Sequence, residues 1–130
     1  MILPQQITTQ ILPEIVIEAH QKSIEQIIII LLNNASKYSP ENSQIKINSE
    51  RQGGRVVINV IDSGKGVAEQ DKKHIFERFY RASDMRGTIN GTGLGLAIAQ
   101  QLALLNNVDL SVRDNYPKGA IFSLTFKSLN

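Results

Sequence analysis

A glycine-rich segment that runs directly into an apolar, helix-like pattern places the strongest constraint on this chain. Residues 88–101 read TINGTGLGLAIAQQ, with Gly91, Gly93 and Gly95 at alternate positions. Glycine permits positive φ and close backbone approach, and bare amides at the N-terminus of a helix suit a phosphate group. The pattern predicts either a phosphate cradle or a flexible turn before an ordinary amphipathic helix, and the segment alone does not decide between them.

Two well-known phosphate-binding motifs do not fit this segment. A P-loop would close with Gly-Lys-Ser/Thr, which does not occur here. The dinucleotide-binding pattern G-x-G-x-x-G also fails, because Leu96 stands where the third glycine is needed and no hydrophobic strand precedes the loop. A phosphate cradle at this position would therefore belong to another class of nucleotide-binding protein.

Composition limits the classes of protein to consider. The 130 residues, 42% of them hydrophobic, suffice for one core, and we expect a single domain over residues 1–130. A net charge of +2 without a basic run does not favour binding to nucleic acid. The absence of cysteine excludes disulfides and cysteine-based zinc sites. The longest apolar run, residues 27–32, is too short to span a bilayer.

The apolar run IIIILL at residues 27–32 is compatible with a strand or with a helix. Isoleucine favours strands, but Ser23 and Gln26 fit a capping box, in which a residue at the helix start and one three positions later bond reciprocally. The mostly polar sequence NNASKY then follows. We predict a helix that is buried on most sides and ends before Pro40.

The rest of the chain alternates predicted strands and helices. Strands are predicted at residues 7–11, 15–17, 44–50, 56–61, 110–112 and 120–126. Gly53 and Gly54 predict a hairpin turn, and residues 117–119 predict another. A short helix is expected at residues 69–76, a mobile polar loop at 77–90, and a third helix that ends near Leu105. This order predicts an α+β fold, a two-layer α/β sandwich with one sheet face covered by three helices.

Asn34, Lys37 and Tyr38 would share one face of the first long helix, because they are three and four positions apart. An amide oxygen is a hard ligand suited to Mg²⁺, which also takes phosphate oxygens and waters, and an ammonium group suits the phosphate itself. The alternative interpretation is a polar helix end that faces water.

Asp62 ends an apolar strand and precedes Gly64 and Gly66. A carboxylate there could accept a hydrogen bond from an exocyclic amine, and the glycines would let a flat ring approach the backbone. The alternative is an ordinary Asx-type turn. In the following loop, Arg78 and Arg81 lie among aromatic residues and could direct cations at phosphates, although a solvated loop is the alternative.

The four segments together resemble a known family. IIIILLNNASKYSP, DSGKGV, IFERFYR and GTGLGLAIAQQL are similar to the N, G1, F and G2 boxes of the catalytic and ATP-binding domain of bacterial sensor histidine kinases. That domain belongs to the ATPase superfamily that includes gyrase, Hsp90 and MutL. The resemblance covers essentially the whole chain. It implies the Bergerat ATP-binding fold, in which a mixed, mostly antiparallel sheet packs against three helices beneath an ATP lid.

The resemblance implies a role for each matching residue. Asn34 matches the Mg²⁺-binding asparagine, Lys37 a phosphate-contacting lysine, and Tyr38 an aromatic residue beside the nucleotide. Asp62 matches the aspartate that reads adenine. The other implied ATP-binding positions line the ring pocket, reach the phosphates or form the glycine cradle: Gly64, Gly66, Val67, Arg78, Arg81, Gly91, Thr92, Gly93, Leu94, Gly95 and Leu96.

Three positions depart from the family pattern. Ile30 stands one helical turn before Asn34, where many members have a second asparagine and gyrase-like ATPases have a glutamate as general base. Isoleucine cannot take a proton from water. Asn106 and Asn107 replace a glycine pair, which is compatible with a left-handed turn. Ala120 replaces a threonine whose hydroxyl could contact adenine.

The phosphoacceptor histidine of the family has no match in this chain. His20 is followed by Gln-Lys-Ser rather than by an acidic residue, and we interpret His20 and His74 as structural or surface residues. The chain is therefore expected to be one domain of a longer kinase whose acceptor histidine lies on a separate dimerisation domain.

The expected function is to bind Mg·ATP and donate its γ-phosphoryl group to that histidine in two-component signalling, with a response regulator as a further partner. We expect the isolated domain to be monomeric and to be the cytoplasmic part of a membrane-anchored kinase. Two alternatives remain open. One is an anti-sigma-type serine kinase or free-standing ATP-binding regulator of the same fold, and the other is a degenerate module that acts only as an interaction surface.

Overall fold

The computed structural model describes residues 5–10, 20–80 and 94–127 of the chain. These residues form five strands and three helices, in the order β1 (Gln6–Gln10), α1 (Gln21–Lys37), β2 (Gln44–Gln52), β3 (Arg55–Ile61), α2 (Glu69–Lys72), α3 (Gly95–Leu105), β4 (Asp109–Asp114) and β5 (Ala120–Lys127). The strand predicted at residues 15–17 and most of the loop predicted at residues 77–90 lie outside the described residues.

The strands form one mixed sheet in the spatial order β1-β2-β3-β5-β4. β1 pairs with β2 in parallel, whereas the other described pairs are antiparallel. Gly53, with φ +62°, and Gly54 form the predicted hairpin turn between β2 and β3. β3 lies between two neighbouring strands, and Val56 and Val57 are both buried although successive side chains point to opposite faces.

Helices α1 and α3 pack against one face of the sheet and against each other. Side chains at every second strand position point to this face, where they meet helical side chains spaced by three or four residues. Each large apolar side chain stabilises the fold by about 1.5–3 kcal/mol when it is fully buried. The prediction of one helix-covered face is confirmed, and the largest fully buried apolar residues are Phe122, Ile27, Leu31, Ile45, Leu124, Val56 and Val60.

The opposite face of the sheet carries a hydrogen-bonded polar row. Asn48, Asn59 and Ser123 are paired across β2, β3 and β5. The Ser123 hydroxyl donates to Asn59 Oδ1 at 2.6 Å, and Asn59 Nδ2 donates to Asn48 Oδ1 at 2.8 Å. Asn59 and Ser123 are buried, and they also bond charged side chains: Asn59 Nδ2 donates to Glu50 Oε1 and Arg113 donates to the Ser123 hydroxyl, both at 3.0 Å. In a two-layer sandwich the helices cover only one face of the sheet, and polar side chains suit the face that they leave uncovered.

The isoleucine-rich run forms α1, as predicted, but the predicted N-cap is wrong. The helix begins at Gln21, and His20 is its N-cap, with Nδ1 accepting a hydrogen bond from the Ser23 N–H at 3.4 Å. Ser23 lies in the first turn instead, where its hydroxyl contacts the same nitrogen at 3.1 Å. The imidazole nitrogen can serve in place of the usual serine or aspartate oxygen, because it too accepts a hydrogen bond from a backbone N–H group. At its other end α1 stops at Lys37, before Pro40 as predicted.

Helix α2 ends at Lys72, so the prediction of a helix to residue 76 is wrong. The following chain forms successive tight turns, in which the N–H groups of His74 and Glu77 each donate to the carbonyl three residues earlier at 2.9 Å. These turns bury Ile75 in the core and leave Phe79 in the left-handed region at φ +65°. Phe79 lies beyond the predicted helix, so the tight turns after Lys72 are what end it early.

The Gln5 side chain attaches the start of the sheet to the end of α1. It is 5% exposed, and its Nε2 donates to the carbonyls of Ser36, Ser39 and Pro40 at 2.9, 3.0 and 3.3 Å. The Ser36 hydroxyl donates to Gln5 Oε1 at 2.7 Å. The Gln5 amide therefore bonds one carbonyl in the last turn of α1 and two carbonyls of the chain that follows the helix.

Replacing this amide should destabilise the domain. We expect Gln5→Ala to lower the free energy of unfolding by about 1–3 kcal/mol, because partly buried carbonyls lose their donor. Urea unfolding followed by circular dichroism measures the change. Gln52→Ala, at an exposed strand end, is the matched control and should stay within about 0.5 kcal/mol of wild type. Equal stabilities for the two variants would contradict this role of Gln5.

Candidate functional site

The C-terminal turn of α1 carries the three residues singled out on this helix. Asn34 and Tyr38 are half-buried and Lys37 is exposed. The Tyr38 N–H donates to the Asn34 carbonyl at 3.3 Å, so the two residues stand one turn apart on the same side. The Asn34 side-chain amide makes no hydrogen bond to another described residue. No residue of the described part of the chain therefore competes with a ligand for its oxygen.

Asp62 follows β3 and is held by backbone amides from two segments. Its Oδ1 accepts hydrogen bonds from the N–H of Gly64 at 2.9 Å and of Ala120 at 3.2 Å. The residue is 5% exposed. Within the described part of the chain, no group donates a hydrogen bond to the other oxygen, Oδ2. One oxygen is thus fixed by the fold, and the other is left for an external donor.

The surroundings of Asp62 disfavour its charge. Burial raises the pKa of this carboxyl above its ordinary value of 3.8, and the two backbone hydrogen bonds only partly offset that rise. An N–H donor that reached Oδ2 would meet a poorly solvated acceptor, where a hydrogen bond is stronger than at the surface.

Two glycines bring the loop after Asp62 into direct contact with its neighbours. A Cβ on Gly64 would lie 2.4 Å from the Tyr38 carbonyl oxygen, and a Cβ on Gly66, which has φ +78°, would lie 2.9 Å from the Gly119 oxygen. The buried Ser39 hydroxyl lies 3.1 Å from the first position and has no hydrogen-bond partner among the described residues. The loop is therefore wedged between the end of α1 and the turn before β5.

Two lysines flank the ring of Tyr38. Lys37 Nζ lies 5.9 Å from the ring centroid, and Lys65 Nζ, from the loop after Asp62, lies 5.8 Å from it. Both side chains are exposed, and each is within the distance range of a cation–π contact. The aromatic ring beside the Asp62 loop is thus bordered by positive charge, which suits a ligand with a flat ring and an anionic tail.

The first turn of α3 presents amides without a side-chain cap. The helix begins at Gly95 after Leu94, none of the described side chains caps it, and its first turn contains no acidic residue. The N-terminal end of a helix attracts anions. A Cβ on Gly95 would lie 3.6 Å from Ile30 Cγ2, so this end of α3 lies directly against α1. Leu96 and Val67 are partly buried and pack against the core.

The remaining predicted site residues are not joined to Asp62 by described contacts. Arg78 is exposed, with its guanidinium carbon 5.6 Å from the Phe79 ring centroid. It lines an open cleft of about 420 Å³ whose other residues are Phe76, Ala97, Gln100, Gln101, Leu104 and Leu105. Arg81, Gly91, Thr92 and Gly93 lie outside the described residues. Among residues 5–10, 20–80 and 94–127, no cluster of three or more His, Asp and Glu side chains could hold a metal ion.

Comparison with known proteins identifies the family. The family described as "Histidine kinase-, DNA gyrase B-, and HSP90-like ATPase" matches residues 19–130. The chain belongs to this family. Among curated family members, the sensor histidine kinase YkoH of Bacillus subtilis is 38% identical over 117 residues, which are 89% of this chain and 25% of YkoH. The chain therefore spans about a quarter of the length of the curated relatives it matches.

Solved structures of family members share the fold. The catalytic domain of the histidine kinase ThkA superposes with a TM-score of 0.79 at 28% identity, covering 95% of this chain and 80% of that domain. Full-length ShkA, solved in complex with AMPPNP, also gives 0.79 at 28% identity, covering 95% of this chain and 25% of ShkA. The expected α+β fold is confirmed. None of the helices described for this chain is long and apolar enough to cross a membrane.

The departures from the family pattern have distinct structural settings. Ile30 packs partly buried against the core, next to the start of α3. Asn107 takes the left-handed conformation expected of it, with φ +56°. Ala120, although it lacks a hydroxyl, contributes to the site through its backbone N–H.

Sequence reasoning missed the residues that hold Asp62 from the far side. Asn115 donates to the Asp62 carbonyl, and Gly119 packs against the same atom. The turn at residues 117–119 was predicted, but the sequence contains no signal that this turn lies beside a loop more than 50 residues earlier. Lys65, which lies between Gly64 and Gly66, is a further cation beside the Tyr38 ring that the sequence did not predict.

Removing the charge of Asp62 should make stability depend differently on pH. The raised pKa means that the folded state holds the proton more tightly than the unfolded chain. The resulting stabilisation is fully present below 3.8, the ordinary value, and is lost as pH rises through the raised one. We expect the melting temperature of Asp62→Asn, relative to wild type, to rise by about 2–8 °C between about pH 3.5 and pH 7.

Thermal melts of the two proteins across this pH range measure the effect. Asp109→Asn, at a carboxylate whose side chain is 82% exposed, is the control, and its difference from wild type should change little with pH. A constant difference for Asp62→Asn would show that burial does not disfavour the Asp62 charge.

Proposed function

We propose that this chain is the ATP-binding catalytic domain of a sensor histidine kinase. In this proposal it binds Mg·ATP and donates the γ-phosphoryl group to a histidine on a separate dimerisation domain, from which a response regulator is phosphorylated. The domain would form the cytoplasmic part of a membrane-anchored parent. The observation that carries the proposal is the buried Asp62 carboxylate, with one oxygen held by backbone amides and the other unpartnered among the described residues.

Adenine fits the pocket around Asp62. Its exocyclic amine would donate to Oδ2, while Gly64 and Gly66 let the loop after Asp62 pack closely against the end of α1 and the turn before β5. Tyr38, whose carbonyl touches the Gly64 position, offers its ring to the nucleotide. Guanine carries an oxygen in place of this amine and would meet the carboxylate with repulsion, so the same geometry supports selection of adenine.

Asn34 is suited to hold the metal and Lys37 to hold the phosphates. The donor set fits Mg²⁺, because the half-buried amide oxygen of Asn34 is free of other described partners and Mg²⁺ is usually bound by a few protein oxygens together with phosphates and waters. The chemistry that Mg²⁺ supplies when bound is neutralisation of charge on the phosphate oxygens. Lys37 and the uncapped amides at the start of α3 would bind the same anionic tail.

Ile30 supports phosphoryl transfer to another domain over hydrolysis. This side chain lies next to the start of α3 and cannot act as a base toward water. Catalysis by this chain would therefore consist of positioning ATP and stabilising its charge for a nucleophile that the partner supplies. Ile30 also favours the second candidate function, that of a degenerate module that no longer transfers phosphate.

Asn34→Ala should remove the dependence of nucleotide affinity on Mg²⁺. We expect wild type to bind a non-hydrolysable ATP analogue at least about tenfold more tightly with Mg²⁺ than without it, a difference of about 1.4 kcal/mol. In the variant the two affinities should be equal, because the metal loses its protein ligand. Calorimetric titration with and without Mg²⁺ measures both values.

Asn33→Ala is the matched control, because Asn33 is exposed and adjacent. Its Mg²⁺ dependence should equal that of wild type. Retention of the Mg²⁺ dependence in Asn34→Ala would contradict the metal-binding role of Asn34. Failure of wild type to bind the analogue at all would favour the degenerate module.

The chain alone should bind ATP but scarcely consume it. On incubation with Mg²⁺ and γ-labelled ATP we expect no label on this chain, since His20 is a helix cap and His74 pairs with Glu77. We also expect little transfer to water, because Ile30 cannot act as a base. Adding the histidine-bearing helical domain of the parent should produce label on that domain. Rapid stoichiometric labelling of the isolated chain, or turnover near roughly 10 s⁻¹, would overturn the proposal.

A further inference from the structure

The turn between β4 and β5 reaches back to Asp62 through a single side chain. Asn115 Nδ2 donates to the Asp62 backbone carbonyl at 2.8 Å, across 53 positions of sequence. The Asn115 N–H donates to the Gly119 carbonyl at 3.0 Å, which closes the turn. The Asn115 side chain therefore connects a closed turn to the residue that carries the buried carboxylate.

Asp62 is held at almost every polar atom. Its N–H donates to the Ala120 carbonyl at 3.0 Å, its carbonyl accepts from Asn115, and its Oδ1 accepts from two backbone amides. A Cβ on Gly119 would lie 2.0 Å from the Asp62 carbonyl oxygen, so the turn packs directly on this atom. The direction in which Oδ2 points is thus set by the turn as well as by β3.

The same turn has a second, independent attachment. Lys72 Nζ, at the end of α2, pairs with Asp114 Oδ1 at 2.8 Å, immediately before Asn115. This ion pair holds the turn to α2 and does not touch Asp62. The two attachments can be removed separately, which allows the effect of Asn115 on Asp62 to be distinguished from a general effect on the turn.

We infer that Asn115 is a positioning residue that sets base selection: by fixing the Asp62 carbonyl it aims Oδ2 at the exocyclic amine of a purine. This inference rests on the proposed function, because it concerns the same adenine pocket. A binding site requires its donor and acceptor atoms to be held within about 0.5 Å of their productive positions, because hydrogen bonds weaken steeply when they are misaligned. Loss of the Asn115 bond would let the Asp62 peptide rotate and misdirect the carboxylate.

A merely structural role for Asn115 predicts a different outcome. Loosening the whole pocket would weaken every nucleotide to a similar extent. Misdirecting Oδ2 would weaken only a ligand that donates to it. The decisive comparison is therefore between ATP and purine riboside triphosphate, which has the same ring, sugar and phosphates but lacks the exocyclic amine.

The experiment measures the dissociation constants of both nucleotides, with Mg²⁺, for wild type, Asn115→Ala and Asn115→Asp. We expect wild type to prefer ATP by at least about tenfold, since a site built around a buried acceptor discriminates against a ligand without the donor. Both variants should lose most of that preference through weaker binding of ATP, with little change for the nucleotide that lacks the amine. Asn115→Asp keeps the shape of the side chain and so provides the comparison if Asn115→Ala does not remain folded.

Asp114→Asn is the matched control, because it weakens the attachment of the same turn to Lys72 and leaves the Asn115 bond in place. It should keep the wild-type preference for ATP, and thermal melts of all variants confirm that each is folded. Equal weakening of both nucleotides in the Asn115 variants, or loss of preference in Asp114→Asn as well, would overturn the positioning role.

Asp62→Asn separates this inference from the proposed function. If Asp62→Asn loses the preference for ATP while Asn115→Ala keeps it, the role of Asn115 is wrong and the proposed adenine pocket stands. If wild type binds both nucleotides equally, Asp62 does not read the amine, and the proposed function fails together with the role of Asn115.

Discussion

The burial of the Asp62 carboxylate is the constraint on which the rest of the site depends. Removing this group from water raises its pKa, and the amides of Gly64 and Ala120 offset only part of that cost. These amides come from the loop after β3 and from the start of β5, so the carboxylate can be held only once the sheet has formed. Because Oδ2 accepts no hydrogen bond from a described residue, a ligand with a matching donor can bond it without displacing a protein group.

Helix α1 links this pocket to the hydrophobic core. Ile27 and Leu31 are fully buried, whereas Asn34 and Tyr38, on the adjoining side, are half-buried, and the Tyr38 carbonyl meets the Asp62 loop. Close packing of the first pair fixes the rotation of the helix and hence the direction of the second pair. Ile30 occupies the border between them, against the start of α3. A single rigid element thus provides both the core and the site, which is how binding geometry is kept precise.

Much of the fold could be predicted from local patterns, which also supplied the residues of the proposed site. The isoleucine-rich helix, the hairpin at Gly53 and Gly54, and the later strands followed from periodicity and turn residues, with bounds that differ by a few positions. The cap of α1 and the length of α2 could not be predicted, because His20 caps the helix in an uncommon way and the chain after Lys72 turns to bury Ile75. The predicted phosphate contact of Arg78 stays a prediction, and its described neighbours line an open cleft beside α3.

The sequence by itself determined the family, the order of the elements and the side chains from which an ATP site is proposed. These properties are local, since each motif carries its residue types and spacing within a short stretch. Only the tertiary structure decided which Asp62 oxygen is fixed, which is left for a ligand, and which distant groups hold it. The reason is physical: the contacts of Asn115 and Ala120 with Asp62 join residues 53 and 58 positions apart, and they arise from sheet pairing and from the close approach of Gly119. No periodicity within either segment specifies the other.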